Sequence, residues 1–361
     1  MKNRHRLWFT GFLCGILCVM LCGCAGRQTG GEEEAAAVTS DEGKKITVGF
    51  SQLGAESDWR RKNTESMLSA FEEADEFELL YENGQQEQNN QIRAIRKFIQ
   101  QEVDYIVLAP VTETGWETVL GEAKEAGIPV VLVDRMADVK DESLYSCWVG
   151  SDFELEGKKV VAWLKAFTDA RGIDPSFLHV VNIQGTQGSS AQIGRTNSLR
   201  EGAEEWGWNL TAEISGDFTQ TKAREVMESL IHLYSDINVV YCENDNEALG
   251  AIEALEEAEK TVGSDLPAGE VMVLSFDGVK KEAREYVLED RISCIGECNP
   301  DQGPLVLDLI RQMEEGKTPE KRFYTEEGIF SSDDTVKTVT VDNVEYPVTP
   351  MTPELAGESD R

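Results

Sequence analysis

Glu56, Ser57, Trp59 and Arg60 follow one short apolar run, and Asp134 with Arg135 follow another. The arrangement recurs along the chain. Glu243, Asn244 and Asp245 come after 239–242, Asp277 and Gly278 after 271–276, and Glu297 with Asn299 after 293–295. Phe218 follows 210–215 and the pair Gly216 and Asp217, and Arg195 lies in a helical pattern beyond the loop 185–189. Carboxylates accept hydroxyl protons, arginine donates through a planar fork, and an aromatic face covers the C–H side of a ring. Such a set suits a polyol. Each residue also has a plainer use, because Asp or Asn after a strand commonly caps the next helix; Asp152 and Asp245 are read as such caps. An isolated tryptophan belongs more often to a core. Recurrence at five or more run ends is what favours function.

Residues at run ends meet only if the runs are strands pointing the same way. From Lys45 short apolar runs at 46–51, 77–81, 105–109, 129–133 and 145–149 alternate with helical patterns, among them 59–74 and 116–126. The alternation restarts with a helix over 154–170. Strands at 177–183, 210–215, 239–242, 271–276 and 293–297 then interleave with helices up to 303–315. Runs that are apolar throughout, not alternating, fit parallel sheets covered on both faces. Two such arrays predict an α/β protein of two doubly wound Rossmann-like lobes, whose ligands sit at the carboxyl ends of the strands.

Composition removes several classes of function. The 361 residues include 67 Asp and Glu against 34 Lys and Arg, a formal charge of −33, with 8 Cys and 3 His. That length suits two domains at about 100–200 residues each. So negative a chain does not suit nucleic-acid phosphates or an anionic lipid surface, and three histidines leave little for a metal site. Lys2, Arg4 and Arg6 precede an apolar run over 7–20 that is too short to span a bilayer, which marks a leader. Leu21, Cys22, Gly23 and Cys24 have lipobox spacing, with Cys24 the lipidated first residue of the mature chain; Cys18 and Cys22 fit less well. An ordinary cleaved signal or an uncleaved anchor is the alternative. Residues 24–44 read as a flexible tether, about 65 Å long at roughly 3.3 Å per residue. Of the remaining cysteines Cys147, Cys242, Cys294 and Cys298, the last two would lie about 13 Å apart in a strand, too far for a disulfide. All four are expected as buried free thiols.

The segments VGFSQLGAESDWR (48–60), GQQEQNNQIRAIRKFI (84–99), APVTETGWETVLGEAKEAGIPVVLVDR (109–135) and GDFTQTKAREVMESLI (216–231) carry a resemblance. With CENDNEALGAIEAL (242–255), SFDG (275–278) and GECNPDQGP (296–304), they resemble the type I periplasmic sugar-binding family of bacterial ABC importers. The resemblance covers roughly residues 45–330. It implies two lobes joined by a three-crossing hinge, with crossings near 150–152, 298–300 and 325–328. Residues 45–150 plus about 299–325 would form the first lobe, and 151–298 plus about 326–361 the second with the tail. The ligand set implied is Glu56, Ser57, Trp59, Arg60, Asp134 and Arg135 from the first lobe. Arg195, Phe218, Asn244 and Asp277 come from the second, with Glu297 close to the hinge. Trp116 also matches and would line the lobe interface; Gln85 and Gln86 match without an assigned role. Ala55, Asp58 and Gly194 depart from the pattern, and the acidic tail after Thr335 has no counterpart. Asp58 and Gly194 bear on ligand choice.

The function implied is binding without catalysis, cofactor or metal. A monosaccharide, with a galactofuranose-like furanose favoured over other pentoses or hexoses, would be delivered to an ABC permease. The protein would be a monomer on the outer face of the cell membrane, touching it through the lipid on Cys24 alone. Presentation of the sugar to a histidine kinase or receptor is the alternative. An enzyme is disfavoured: Gly316, Lys317 and Thr318 end like a P-loop, but Arg311 stands where the first glycine belongs. A LacI-type repressor core would need a basic helix-turn-helix head where the leader stands. Most of the negative charge is expected on solvated helix faces such as 253–259, on the tether and on the tail.

Overall fold

Runs of aliphatic side chains buried along their whole length form the central strands. The structure, a computed structural model, describes residues 44–357. The leader 1–23, Cys24 and the tether as far as 43 lie outside the described residues. The chain begins β1 (Ile46–Gln52), α1 (Asp58–Glu72), β2 (Phe77–Asn83), α2 (Gln88–Gln100), β3 (Tyr105–Leu108), α3 (Glu117–Glu125), β4 (Val130–Val133) and β5 (Cys147–Gly150). It continues α4 (Phe153–Arg171), β6 (His179–Gln184), α5 (Ser190–Trp206), β7 (Asn209–Ser215), α6 (Gln220–Leu233), β8 (Val239–Cys242) and α7 (Asp245–Glu257). Then come β9 (Met272–Asp277), α8 (Lys281–Leu288), β10 (Cys294–Glu297), α9 (Gly303–Glu314), β11 (Arg322–Tyr324), β12 (Ile329–Ser331), β13 (Thr338–Val341), β14 (Val344–Pro347), β15 (Thr349–Pro350) and α10 (Pro353–Gly357).

The first sheet has the order β11-β5-β4-β3-β1-β2 and is parallel throughout. The second runs β15-β12-β10-β9-β8-β6-β7, parallel from β10 to β7, with β12 antiparallel to β10. Each sheet places its second strand outside its first and its third on the other side, so the order reverses beside β1 and beside β6. Crevices for ligands open at such reversals, at the carboxyl ends of the strands. Both faces of each sheet are covered. Met67, Phe71, Val306 and Ile310 pack on one face of the first, and Ile95, Phe98, Trp116 and Leu120 on the other. The second is packed by Met227, Leu230, Ile252 and Leu255 on one side and by Trp163, Leu164, Phe167 and Leu199 on the other. Among the described residues no helix is long and apolar enough to cross a membrane.

The chain passes between the sheets after β5, after β10 and after β11. One carboxylate oxygen ties the three passages together. Glu327 Oε1 accepts from Ser151 Oγ at 2.5 Å, from Asn299 N at 2.8 Å and from Thr325 Oγ1 at 2.7 Å.

The segment after Thr335 is not the solvated tail its charge suggests. β13 and β14 form an antiparallel hairpin in which Val339 and Val341 are buried and Thr338 and Thr340 exposed. Val336, Val339 and Val348 join the core beneath α4, while Met351 and Ala356 join the opposite one. The hairpin turns at Asp342 and Asn343, with φ of 50° and 65°. A two-residue turn with both residues left-handed matches the twist of its strands.

Candidate ligand-binding site

Ser57 places the first side chains. It stops the extended chain after β1 and caps α1, its Oγ accepting from Arg60 N at 3.1 Å. Trp59 and Arg60 therefore occupy the first turn at the carboxyl edge of the first sheet. Arg60 donates to Glu56 Oε1 at 3.3 Å, to Gln52 Oε1 at 3.4 Å and to Asp134. Arg135 donates to that same Glu56 oxygen at 3.1 Å and to Val111 O at 2.9 Å. Asp134 is held at φ 61° by two backbone bonds: its N–H donates to Val149 O at 2.7 Å, and its carbonyl accepts from Trp148 Nε1 at 2.9 Å. A left-handed conformation costs a non-glycine residue about 1–3 kcal/mol, and such residues cluster at functional sites.

The second lobe repeats the scheme. Asp277 ends β9 with φ 81°, the counterpart of Asp134 after β4. Arg195 donates to Glu156 Oε2 at 2.7 and 2.9 Å, to Asp277 Oδ1 at 3.3 Å and to the carbonyl of Glu243. Asn244 caps α7 through Glu247 N at 2.8 Å and donates to Phe218 O at 3.2 Å. Glu247 Oε1 accepts from Phe218 N at 2.8 Å, so both sides of the Phe218 backbone are held. Asp217 and Phe218 have φ of 53° and 61° after β7, as Gln85 and Gln86 have 54° and 61° after β2. That equivalence gives Gln85 and Gln86 a role: they form the matching turn of the first lobe.

Phe218 lies against Gly185, where an added Cβ would stand 1.9 Å from the ring's Cζ. Gly185→Ala should push the ring out of place at a cost of about 1–3 kcal/mol. The expected result is a loss of ligand affinity of roughly tenfold with a modest fall in melting temperature. Calorimetric titration beside a thermal melt checks both.

The cavity between the lobes brings together Glu56, Ser57, Trp59, Arg60, Asp134, Arg135, Arg195, Phe218, Asn244 and Asp277. Phe153, Ala191 and Cys298 complete its wall and are not among the candidates the sequence marks. Trp59, Phe153, Ala191, Phe218 and Cys298 form an apolar cluster with Val279, and Trp59 Nε1 donates to Cys298 O at 2.8 Å. Arg135 lies over the Phe218 ring from the opposite lobe, 5.3 Å from its centroid.

Other expectations are corrected. Glu297 does not line this cavity: successive strand residues face opposite ways, Cys298 takes the wall, and Glu297 Oε2 accepts from Gly328 N at 2.7 Å. Asp152 does cap α4, through Leu155 N. Asp245 is not a cap, since Asn244 is; its carboxylate holds the loop after β9 through Val279 N at 2.9 Å and Lys280 N at 3.0 Å. Trp116 is fully buried in the first lobe's core and donates to Thr112 O at 2.7 Å, so it lines no interface. Asp58 and Gly194 do not line the cavity either. Cys147, Cys242, Cys294 and Cys298 are buried free thiols.

Among the described residues, Glu156, Cys298 and Glu327 hold ligand atoms within 4.8 Å of one another. Arg195 holds Glu156 Oε2 and the three hinge donors hold Glu327 Oε1, while among the described residues the buried Glu156 Oε1 has no hydrogen-bond partner.

Charge is closely matched. Burial draws the Arg60 guanidinium down, but Asp134 and Glu56 outweigh it and leave it above its ordinary value. Arg135, also buried, is pulled to about 10, with Glu56 opposing the shift and Arg60 adding to it. Burial pushes the Asp277 carboxyl up to about 8 and Glu156 well above the usual range, with Arg195 drawing each back.

Two doubly wound lobes joined by three crossings, with a cavity lined by paired arginines and carboxylates between their strand ends, define a hinged binding protein for a small polar molecule. The chain belongs to the periplasmic binding protein family, whose domain matches residues 48–318, and it has the type I fold. It is 39% identical over 293 residues to the galactofuranose-binding protein YtfQ of Escherichia coli (strain K12), covering 80% of this chain and 88% of that one. The crystal structure of a galactofuranose binding protein matches with a TM-score of 0.74 at 38% identity, over 80% of this chain and 96% of the other. The binding protein of the arabinose ABC transporter from Shewanella sp. ANA-3, bound to α- and β-L-arabinofuranose, matches with a TM-score of 0.73 at 34% identity, over 80% and 93%.

Proposed function

We propose that this chain is an extracytoplasmic solute-binding protein that captures one monosaccharide, a galactofuranose-like furanose above others, for an ABC sugar importer. The observation that carries the reading is a pair of buried polar atoms. Glu56 Oε2 and Arg135 Nε belong to cavity-lining residues and have no hydrogen-bond partner among the described residues. A buried polar group left unpaired costs about 1–3 kcal/mol, and the hydroxyls of a diol satisfy an acceptor and a donor together. Each of the three arginines is already paired, Arg60 and Arg135 with Glu56 and Asp134 and Arg195 with Glu156 and Asp277, which favours a neutral sugar over a sugar acid or phosphate.

In this reading residues 45–150 with about 299–325 form one lobe and 151–298 with about 326–361 the other. Ligand contacts made from both sides favour the closed state, which the permease recognises. The mature protein is a monomer anchored through lipid on Cys24. Labelling with an alkyne fatty acid should mark the wild type and not Cys24→Ser.

The test of binding is a tryptophan-fluorescence titration with D-galactose, D-fucose, L-arabinose, D-fructose and D-ribose, each equilibrated so that its furanose forms are present. Trp59 in the wall reports closure. A response with Kd near or below about 10 μM, or ~7 kcal/mol, is expected for at least one sugar. A flat signal and no calorimetric heat across the panel would sink the proposal.

A further inference from the structure

Asp58 begins α1 in the first lobe, yet it lies outside the cavity wall and reaches the other lobe. Its Oδ2 accepts from Asn246 Nδ2 at 3.0 Å and lies 3.4 Å from Lys280 Nζ, while its backbone N–H donates to Asn246 Oδ1 at 3.2 Å. One turn further along α1, Lys62 Nζ donates to Val279 O at 3.2 Å. Asn246 belongs to α7, and Val279 and Lys280 to the link between β9 and α8. A second rim closes through main chain and one hydroxyl: Glu113 N donates to Gly188 O at 3.0 Å, and Met136 N to Ser190 Oγ at 2.8 Å. Charged side chains thus hold one lip of the cavity.

We propose that Asp58, with Asn246 and Lys280, is an interlobe latch that favours the closed state independently of the bound molecule and slows its release. An exposed ion pair contributes little. This one is better placed. The Asp58 and Lys280 side chains are 23% and 20% exposed, and a buried Asn246 amide fixes the carboxylate from the same side. These contacts exist only with the lobes together. Whatever they contribute therefore moves the open–closed equilibrium directly. The plainer use of Asp58 is local: an acid in the first turn of a helix, paired with Arg61 on the same helix. That use needs no second lobe, so the decisive substitution lies on Lys280.

The effect on release rests on the sugar-binding reading; the effect on closure does not. Lys280→Glu sets like charge against Asp58 without altering α1. The expected result is a larger radius of gyration by small-angle scattering without sugar. Release of the tightest-binding sugar of the panel should be roughly five- to tenfold faster by stopped flow. Asp58→Lys should do the same, and Asp58→Lys with Lys280→Glu should bring both readings back toward wild type. Single variants that match wild type in both readings, or a double variant no better than the singles, overturn the latch. If no sugar binds but the radius of gyration responds as described, the latch stands and the functional reading falls.

Discussion

Arg135→Ala should weaken sugar binding by about a hundredfold or more, the scale of a buried arginine hot spot. Arg135 is buried, and it is the one guanidinium that joins both halves of the cavity wall, holding Glu56 at 3.1 Å and Val111 O at 2.9 Å while lying over Phe218. Its pKa of about 10 keeps it charged at neutral pH. Truncation removes the donor face offered to the ligand. It also leaves the Glu56 carboxylate to Arg60 alone, and breaking a buried pair costs about 3–5 kcal/mol. Arg135→Lys should recover little, because an ammonium cannot reproduce a planar fork bonded on two sides. Calorimetry with the tightest sugar checks affinity, and a thermal melt separates it from loss of fold. Affinity within threefold of wild type in a folded Arg135→Ala protein would remove this residue from the site.

How far the site is legible in the sequence follows from where its residues sit. Residues at the ends of parallel strands are legible, because a run of four buried aliphatics followed by polar groups marks the carboxyl edge of a sheet. Nine of the eleven candidate residues follow strands and meet in one cavity for that reason, and Arg195 reaches it from α5 instead. The remaining wall residues lack such a mark. Phe153 and Ala191 belong to first turns of helices, where an apolar residue looks the same whether it faces a core or a cleft. Cys298 reads in the sequence only as a buried thiol. Glu327 ties the hinge, but it stands beside Glu326 in a chain of 67 acids, and nothing local distinguishes it. The terminal hairpin is the opposite case. TVTV alternates with period two and Asp342 and Asn343 form a turn, but the acidic composition of the segment hides a plain strand pattern.

The second large effect concerns pH and acts on the whole fold. Burial raises several acids of the second lobe: Asp245 to about 6, Glu243 to about 7, Asp277 to about 8, and Glu247 and Glu156 well above their ordinary range. A carboxyl raised in the folded state binds its proton more tightly there than in the unfolded chain. Stability is therefore unaffected below the unfolded value near 4, and it falls as pH rises from there through the folded value. The window set by Asp245, Glu243 and Asp277 is about pH 4 to 8. Asp141, held near 2 by Ser143 and Lys124, acts the other way but loses its contribution only below about pH 4. A proton held tenfold more tightly in the folded state corresponds to about 1.4 kcal/mol, so the melting temperature at pH 5.5 should exceed that at pH 8 by roughly 5 °C or more. Glu247 isolates the cause. Its Oε1 accepts from Phe218 N while its buried Oε2 has no hydrogen-bond partner among the described residues, and Glu243 adds like charge nearby. Glu247→Gln keeps the acceptor for Phe218 and removes the group that must ionise. It should match wild type near pH 4.5, melt several degrees higher at pH 8, and flatten the slope between them. A variant with the wild-type slope would show that Glu247 ionises without cost, and the pH dependence would then have to come from the acids around Arg195.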